Sequence, residues 1–242
     1  MPHAMQDKVV LVTGASAGIG HALALEFARR GAHLVLAARR TDRLAELARE
    51  IEALGRKALP VACDVTVDGD VEKAVASARG TLGPIDVAVA NAGFGVAGRF
   101  DRLSLDDVRR QLETNVFGVI RTFHGTREDL ERSSGRFAIV GSVSGHVSVP
   151  TSGPYCMSKF AVRALADALR AEMRPRGVSV TLLSPGFVAS EIRQVDNAGV
   201  FKSTRKDPIP GWLVLSAASC AKKMVRAIGR RRREVVITGH GK

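Results

Sequence analysis

Short, continuous apolar runs alternate with longer amphipathic stretches along this chain. KVVLVT (8–13), HLVLAA (33–38), KALPVA (57–62), IDVAVA (85–90), RFAIVG (136–141), VSVTLLS (178–184) and EVVIT (234–238) are rich in β-branched or aliphatic residues, without polar alternation. Strands of that kind are buried on both faces, as in a parallel sheet covered by helices. Helical periodicity predicts helices over 19–30, 41–54, 69–79 and 154–174, each between two such runs. No linker, repeat or low-complexity tract divides the 242 residues. The pattern predicts one α/β domain over 1–242, doubly wound, with a parallel sheet of about seven strands. Ligands of such sheets sit beyond the carboxyl ends of the strands, so chemistry is expected just after residues 13, 38, 62, 90, 141 and 184.

The segment after the first run is TGASAGIG, residues 13–20. Gly14 lets the backbone turn sharply, and Gly18 and Gly20 let a pyrophosphate and the neighbouring strand approach a helix start. The spacing, G-x-x-x-G-x-G, differs from the common G-x-G-x-x-G. A strand before it, a helix after it and its place first in the sheet make it a dinucleotide loop, and the domain a Rossmann-type one. The second strand ends Ala37-Ala38-Arg39-Arg40 with no carboxylate for a ribose 2′-hydroxyl; Asp42 already lies in the next helix. Arg39 suits a charge-assisted contact to a 2′-phosphate, which favours NADP over NAD. The competing reading is a solvated arginine pair.

Composition narrows the partners. The formal charge is +12, from 36 Lys+Arg and 24 Asp+Glu. That balance attracts nucleic acid, anionic membranes or phosphorylated ligands. Aromatics are only 5% and no reading motif is present, so no specific nucleic-acid partner is expected. Cys63, Cys156 and Cys220 are scattered without C-x-x-C spacing, which fits a reducing compartment and no structural metal. The start MPHAMQDK has no apolar signal core and no run approaches a membrane span, so a cytoplasmic protein is expected.

Tyr155 and Lys159 stand four apart on one helical face, and Ser142 lies in a serine- and glycine-rich loop just after the fifth run. Asn115 is flanked by Val116 and Phe117, where an amide is out of place on an apolar helical face. Together, TGASAGIG, Asn91-Ala92-Gly93, Asn115, Ser142, Tyr155-Cys-Met-Ser-Lys159 and Pro185-Gly186 resemble the short-chain dehydrogenase/reductase family in order and spacing, from about residue 6 to 238. The resemblance implies an NAD(P)-dependent oxidoreductase with an Asn115, Ser142, Tyr155, Lys159 active site. It implies that Lys159 also holds the nicotinamide ribose and that Asn115 supports a water chain. For the coenzyme it implies Ser16 and Ile19 in the glycine loop, Asp64 and the amide of Val65 at the adenine, and Asn91, Ala92 and Gly93 at its ribose. It puts Pro185, Gly186, Val188 and Ser190 around the nicotinamide. Two positions depart from the family: Ala90 stands where a first asparagine is common, and Ser190 replaces a threonine.

Hydride transfer to a ketone builds charge on oxygen, which must receive a proton. A phenol does this if its pKa falls from about 10 towards neutral, which takes about 4 kcal/mol. An ammonium about 4 Å away at an effective dielectric of about 20 supplies that much. Lys159 is expected to acidify Tyr155 in this way, while Ser142 orients the carbonyl.

The segment 187–212 lacks strand pattern and is expected to be a substrate lid. Phe94, Val143, Val149, Phe187 and Trp212 could form an apolar pocket for a lipid-like, steroid-like or aromatic ketone, or be ordinary core. The run Arg230–Arg233 before EVVIT resembles the branch of the family related to hydroxysteroid dehydrogenases, several of them membrane associated. Weak peripheral membrane contact is therefore open beside a solvated helix cap. The resemblance also suggests a homodimer or homotetramer built on the helices carrying Asn115 and Tyr155. The alternatives to an enzyme are a non-catalytic NADP-binding regulator and a basic membrane-surface protein on the same fold.

Overall fold

The apolar runs become the strands of one sheet. In a computed structural model, which describes residues 4–202 and 209–237, they are β1 (Val9–Thr13), β2 (His33–Ala38), β3 (Ala58–Ala62), β4 (Val87–Ala90), β5 (Arg136–Val140), β6 (Ser179–Ser184) and β7 (Glu234–Val236). Their order is β3-β2-β1-β4-β5-β6-β7 and every pairing is parallel. The chain is a Rossmann-like α/β domain whose strand order reverses between β1 and β4. Residue 238 of the predicted last strand, residues 203–208 of the predicted lid, and the two ends of the predicted 1–242 domain lie outside the described residues.

Successive side chains point to opposite sides, and helices on both sides keep β1, β2, β4, β5 and β6 dry on both faces, while the edge strands β3 and β7 stay partly exposed. Val10 and Val12 join a core with Leu23 and Phe27 of α1 (Gly18–Arg29), Leu44 and Leu47 of α2 (Thr41–Ala53), and Met224 and Ile228 of α7 (Ala217–Gly229). Val9 and Leu11 join the opposite core with α3 (Asp70–Thr81), α5 (Gly118–Arg132) and α6 (Gly153–Met173). Gly69, expected inside α3, has φ 85 and sits before it; that conformation cannot propagate a right-handed helix.

In one further stretch the sequence marks as helical only the neighbourhood of Asn115. Residues 105–132 form α4 (Leu105–Leu112), a π turn (Glu113–Phe117) and α5. Ser104 caps α4 through a reciprocal pair with Asp107. Gly118 and Gly125 interrupt the apolar stripe of α5 because the helix lies close to the segment after β3: a methyl on them would stand 2.7 Å from Val65 and 2.9 Å from Val71.

Asp129, 0% exposed in α5, takes Arg79 and the Ile85 amide N–H, at 3.0 Å for the latter. Arg79 itself reaches solvent, so loss of Asp129 strands mainly the Ile85 donor. Asp129→Ala is expected to cost about 2 kcal/mol in urea unfolding; a loss under about 0.5 kcal/mol would mean that the pair is solvated in solution.

Candidate active site

The buried Thr13 hydroxyl ends β1 by tying it to β4. It donates to Val89 O and accepts from the amides of Asn91 (3.0 Å) and Ala92 (3.1 Å). The Asn91 carboxamide donates to Thr13 O at 2.8 Å. This brings the segment after β4 onto the glycine loop so closely that a Cβ on Gly14 (φ 65) would lie 2.8 Å from Ala92 Cα. A Cβ on Gly20 would collide with Gly14 O and the Asn91 side chain. The first turn of α1 carries no acidic residue, and no side chain caps it. Ser16 is buried and Ile19 half-buried beside this cradle. A helix start of this kind, narrowed by glycines and left with unsatisfied N–H groups, fits a pyrophosphate.

The cations at the end of β2 divide differently from expectation. Arg39 is 68% exposed and stands 3.8 Å from Asp64. Arg40 instead reaches the glycine loop, donating from Nε to Ser16 Oγ at 3.2 Å, and pairs with Glu191 at 2.9 Å. Sequence order alone does not separate two adjacent arginines that leave a strand on opposite sides. Asp64 closes its own turn, accepting from the Thr66 amide and hydroxyl, while Val65 is buried against α5.

Asn115 sits in the π turn, where the wider backbone lets a polar side chain face inward. Both ends of its carboxamide are engaged: Oδ1 accepts from Phe94 N at 3.1 Å, and Nδ2 donates to Phe94 O at 3.0 Å and Ser158 Oγ at 3.2 Å. Gln111, one turn earlier and 0% exposed, repeats the pattern, accepting from Val96 N and donating to Phe94 O at 2.9 Å. The two amides hold residues 94–96 as a neighbouring strand would. Sequence reading missed Gln111; the signal was a second amide four residues before Asn115 on the same face.

The held segment borders the catalytic candidates, since a Cβ on Gly95 would stand 3.6 Å from the Tyr155 ring. Ser158 carries the connection on to α6 by donating to Tyr155 O at 2.7 Å. Lys159, one turn after Tyr155, is 7% exposed; its ammonium donates to Val140 O at 2.9 Å and lies 5.6 Å from the Tyr155 ring centroid. Only a glycine fits at 145, where a Cβ would stand 2.8 Å from Lys159 O. Ser142 caps the short turn Val143–Gly145 by accepting from Ser144 N. Val143 N donates to Pro185 O at 2.9 Å, which joins this loop to the Pro185-Gly186 segment after β6. His146, also missed in the sequence, fastens the loop to β7 through Glu234 at 2.9 Å and borders Ser184.

These positions match a known pattern. The family model for short chain dehydrogenases matches residues 8–200. The chain belongs to the short-chain dehydrogenase family. It is 32% identical to dehydrogenase/reductase SDR family member 7B of Mus musculus over 97% of this chain and 74% of that protein. Glycine betaine reductase ATRR of Emericella nidulans is 37% identical over 78% of this chain, which spans only 15% of that much longer protein. Among solved structures, an alcohol dehydrogenase from Thermococcus sibiricus complexed with 5-hydroxy-NADP superposes with a TM-score of 0.85 at 30% identity, covering 97% of both chains. A member from Burkholderia phymatum in complex with NAD gives 0.87 at 26% identity, covering 97% of this chain and 90% of that one.

Against the family frame, several expectations change. Val149, Phe187 and Trp212 are exposed, Trp212 at 84%, so they are not core, whereas Phe94 is buried. The segment after β6 is more ordered than its sequence suggested: Ser190 rests on Gly18, Val188 bridges to Leu215, and Val195 pairs with Phe201. The arginine run is partly engaged, Arg231 donating to the carbonyls of Ser134, Gly135 and Gly177, and Arg233 pairing with Asp167. No helix among the described residues is long and apolar enough to cross a membrane.

The expected acidification of Tyr155 is absent from this arrangement. Burial pushes the phenol up, and the neighbouring Ser142 hydroxyl and more distant Arg193 charge pull it down only in part. Lys159 does not counter this, because its ammonium is turned to the Val140 carbonyl and burial pushes it down to about 8. Tyr155 is the sole tyrosine, so ultraviolet titration reads it alone. The coenzyme-free protein is expected to titrate above pH 10; a midpoint below 10 would contradict the arrangement.

The lysine also leaves a signature in stability. The penalty on its charged form acts in full below pH 8 and is relieved as pH rises towards 10.5, where the unfolded chain still holds the proton. Lys159→Met is expected to unfold in more urea than the parent at pH 7, by up to about 3 kcal/mol. The margin should shrink between pH 8 and 10.5, and a variant weaker than the parent at pH 7 would contradict this.

Proposed function

We propose that this chain is an NADP(H)-dependent oxidoreductase that interconverts a ketone or aldehyde with an alcohol, Tyr155 acting as general acid and base. The carrying observation is the convergence of Ser142, Tyr155 and Lys159 at the carboxyl end of β5, linked through Ser158 and Asn115 to the segment that packs on the glycine loop. The residues fit a dinucleotide. Gly14, Gly18 and Gly20 leave the pyrophosphate cradle, and Arg40, Ser16 and exposed Arg39 supply cation and hydroxyl for a 2′-phosphate. Asp64, Val65, Asn91, Ala92 and Gly93 line the adenosine side; Pro185, Gly186, Val188 and Ser190 line the nicotinamide side. That the relatives include complexes with both an NADP derivative and NAD leaves the arginines as the argument for NADP.

The bound nicotinamide supplies or accepts the hydride. In reduction, the Tyr155 hydroxyl gives its proton to the carbonyl oxygen as charge develops there, and Ser142 hydrogen-bonds the same oxygen. Lys159 is a cation one helical turn away that lowers the energy of the resulting phenolate once its ammonium swings from Val140 O. Asn115 has no free carboxamide atom and acts through the frame it holds; any water relay there must use its backbone. The exposed apolar side chains of Val149, Phe187 and Trp212, on the segments after β5 and β6, favour an apolar substrate. Exposed Phe117, Met157 and Phe160, on the helices around Asn115 and Tyr155, support a homodimer or homotetramer.

Oxidation of NADPH and NADH with a panel of aliphatic, aromatic and steroid ketones tests the reading. NADPH-dependent turnover is expected, lowered about a thousandfold in Tyr155→Phe. Coenzyme binding with no turnover of any ketone would make the chain a coenzyme-binding regulator instead, and a preference for NADH would overturn the assignment of the arginines.

A further inference from the structure

Three separate parts of the chain meet at one guanidinium. Arg40 leaves the end of β2, donates from Nε to Ser16 of the glycine loop at 3.2 Å, and pairs through Nη1 with Glu191 Oε2 at 2.9 Å. Arg43, on the first turn of α2, stands 3.6 Å from the other Glu191 oxygen. Glu191 belongs to the segment after β6, and the residue before it, Ser190, lies on the start of α1, so that a Cβ on Gly18 would be 3.0 Å from Ser190 Cβ. The same segment is fastened at its far end. The Asn197 carboxamide accepts from Ala97 N and donates to Ala97 O, both at 3.1 Å, and the Asn197 carbonyl accepts from Arg110. Residues 190–197 therefore form a strap over the cleft, with an ion pair at the coenzyme end and a backbone-like pair of hydrogen bonds at the other.

We propose that Glu191 is an internal competitor for the coenzyme's 2′-phosphate, so that binding a 2′-phosphorylated adenosine releases the coenzyme end of the strap. The inference rests on the reading that Arg40 and Ser16 receive that phosphate. A phosphate monoester carries up to two negative charges and binds a guanidinium through two oxygens, as a carboxylate does. Both anions cannot sit on Arg40 without like-charge repulsion at close range. The phosphate is the more highly charged and displaces the carboxylate, while the Asn197 end of the strap stays fastened. Coenzyme selection and freedom of the strap are then one equilibrium, and each biases the other by the same factor. A coenzyme without the 2′-phosphate binds with Glu191 still in place and gains nothing from its removal.

The test uses the full chain with 2′,5′-ADP and 5′-AMP, which differ only in the 2′-phosphate, and calorimetry rather than turnover. Wild type is expected to bind 2′,5′-ADP more tightly than 5′-AMP. Glu191→Gln, which keeps the shape and removes the charge, should tighten 2′,5′-ADP about fivefold and leave 5′-AMP unchanged. Hydrogen exchange at residues 190–202 of wild type should quicken with 2′,5′-ADP and not with 5′-AMP, a measurement that needs no variant. Unchanged or weakened 2′,5′-ADP binding in Glu191→Gln would overturn the proposal, since a carboxylate that merely orients Arg40 weakens the site when lost; slowed exchange with 2′,5′-ADP would overturn it as well. If wild type itself fails to distinguish the two nucleotides, the NADP reading fails and the proposal falls with it, a pattern separate from a wild type that discriminates and a variant that does not differ.

Discussion

A buried ammonium with a single backbone partner is the constraint around which the active-site half of this domain is arranged. Lys159 is almost wholly removed from water, its charge is met by the carbonyl of Val140, and its pKa falls as a result. Val140 O faces β4 in the sheet, and it is available because β4 ends at Ala90 and the Ala92 amide goes to Thr13 instead. A longer β4 would use Val140 O in the ladder. The close approach of α6 that delivers the lysine also leaves no room for a side chain at Gly145. A cation held in this way is disfavoured in its charged form and returns to a productive pairing when an anion develops nearby. The site is thus less stable at rest than a packed apolar one, which is the common relation between stability and activity at strained or desolvated positions.

The second element of the arrangement is a frame of neutral amides. Gln111 and Asn115, a turn apart across the boundary of α4 and the π turn, satisfy both backbone groups of Phe94 and the amide of Val96. A strand partner would do the same but would block the cleft. Side-chain amides do it from one side, leaving the other face of residues 94–96 towards Tyr155. Removal of either amide leaves a buried donor unpaired, so the frame is rigid for the same reason that it is vulnerable.

Much of this was legible in the sequence where burial writes a strong pattern. The central strands, dry on both faces, appear as unbroken apolar runs, as do the partly exposed edges β3 and β7, and all seven lie within one or two residues of the expected ends among the described residues. Chemistry was expected after the strand ends, and Ser142, Asn91 and the glycine loop do stand there. The pattern failed where close packing replaces apolar surface with glycine. Gly118 and Gly125 let α5 approach its neighbours and so erase part of the stripe that would have announced it. It failed also where the answer depends on direction: Arg39 and Arg40 are indistinguishable in order, and only the fold turns one towards Ser16 and the other into solvent. The acidity of Tyr155 belongs to a third kind. A spacing of four places a lysine nearby without deciding whether its ammonium faces the phenol or a carbonyl, and Coulomb's law applied to the assumed separation overlooked the desolvation of both groups.

The surplus positive charge looks different once its local partners are counted. Arg231 gathers three loop carbonyls below the sheet and Arg233 holds Asp167 on α6, so half of the 230–233 run is committed to joining β7 to its neighbours. Arg79 serves Asp129, and Arg40 and Arg43 share Glu191. A guanidinium with five donors can close several carbonyls or carboxylates at once, where a lysine is a point charge. Arginines of this kind act as links between segments distant in sequence, and part of the surplus positive charge is engaged in that use. A net charge of +12 is therefore weak ground for a polyanionic partner. Under the proposal above, the cations that bear on ligand choice are Arg40 and Arg43, whose present partner is a carboxylate on the segment after β6.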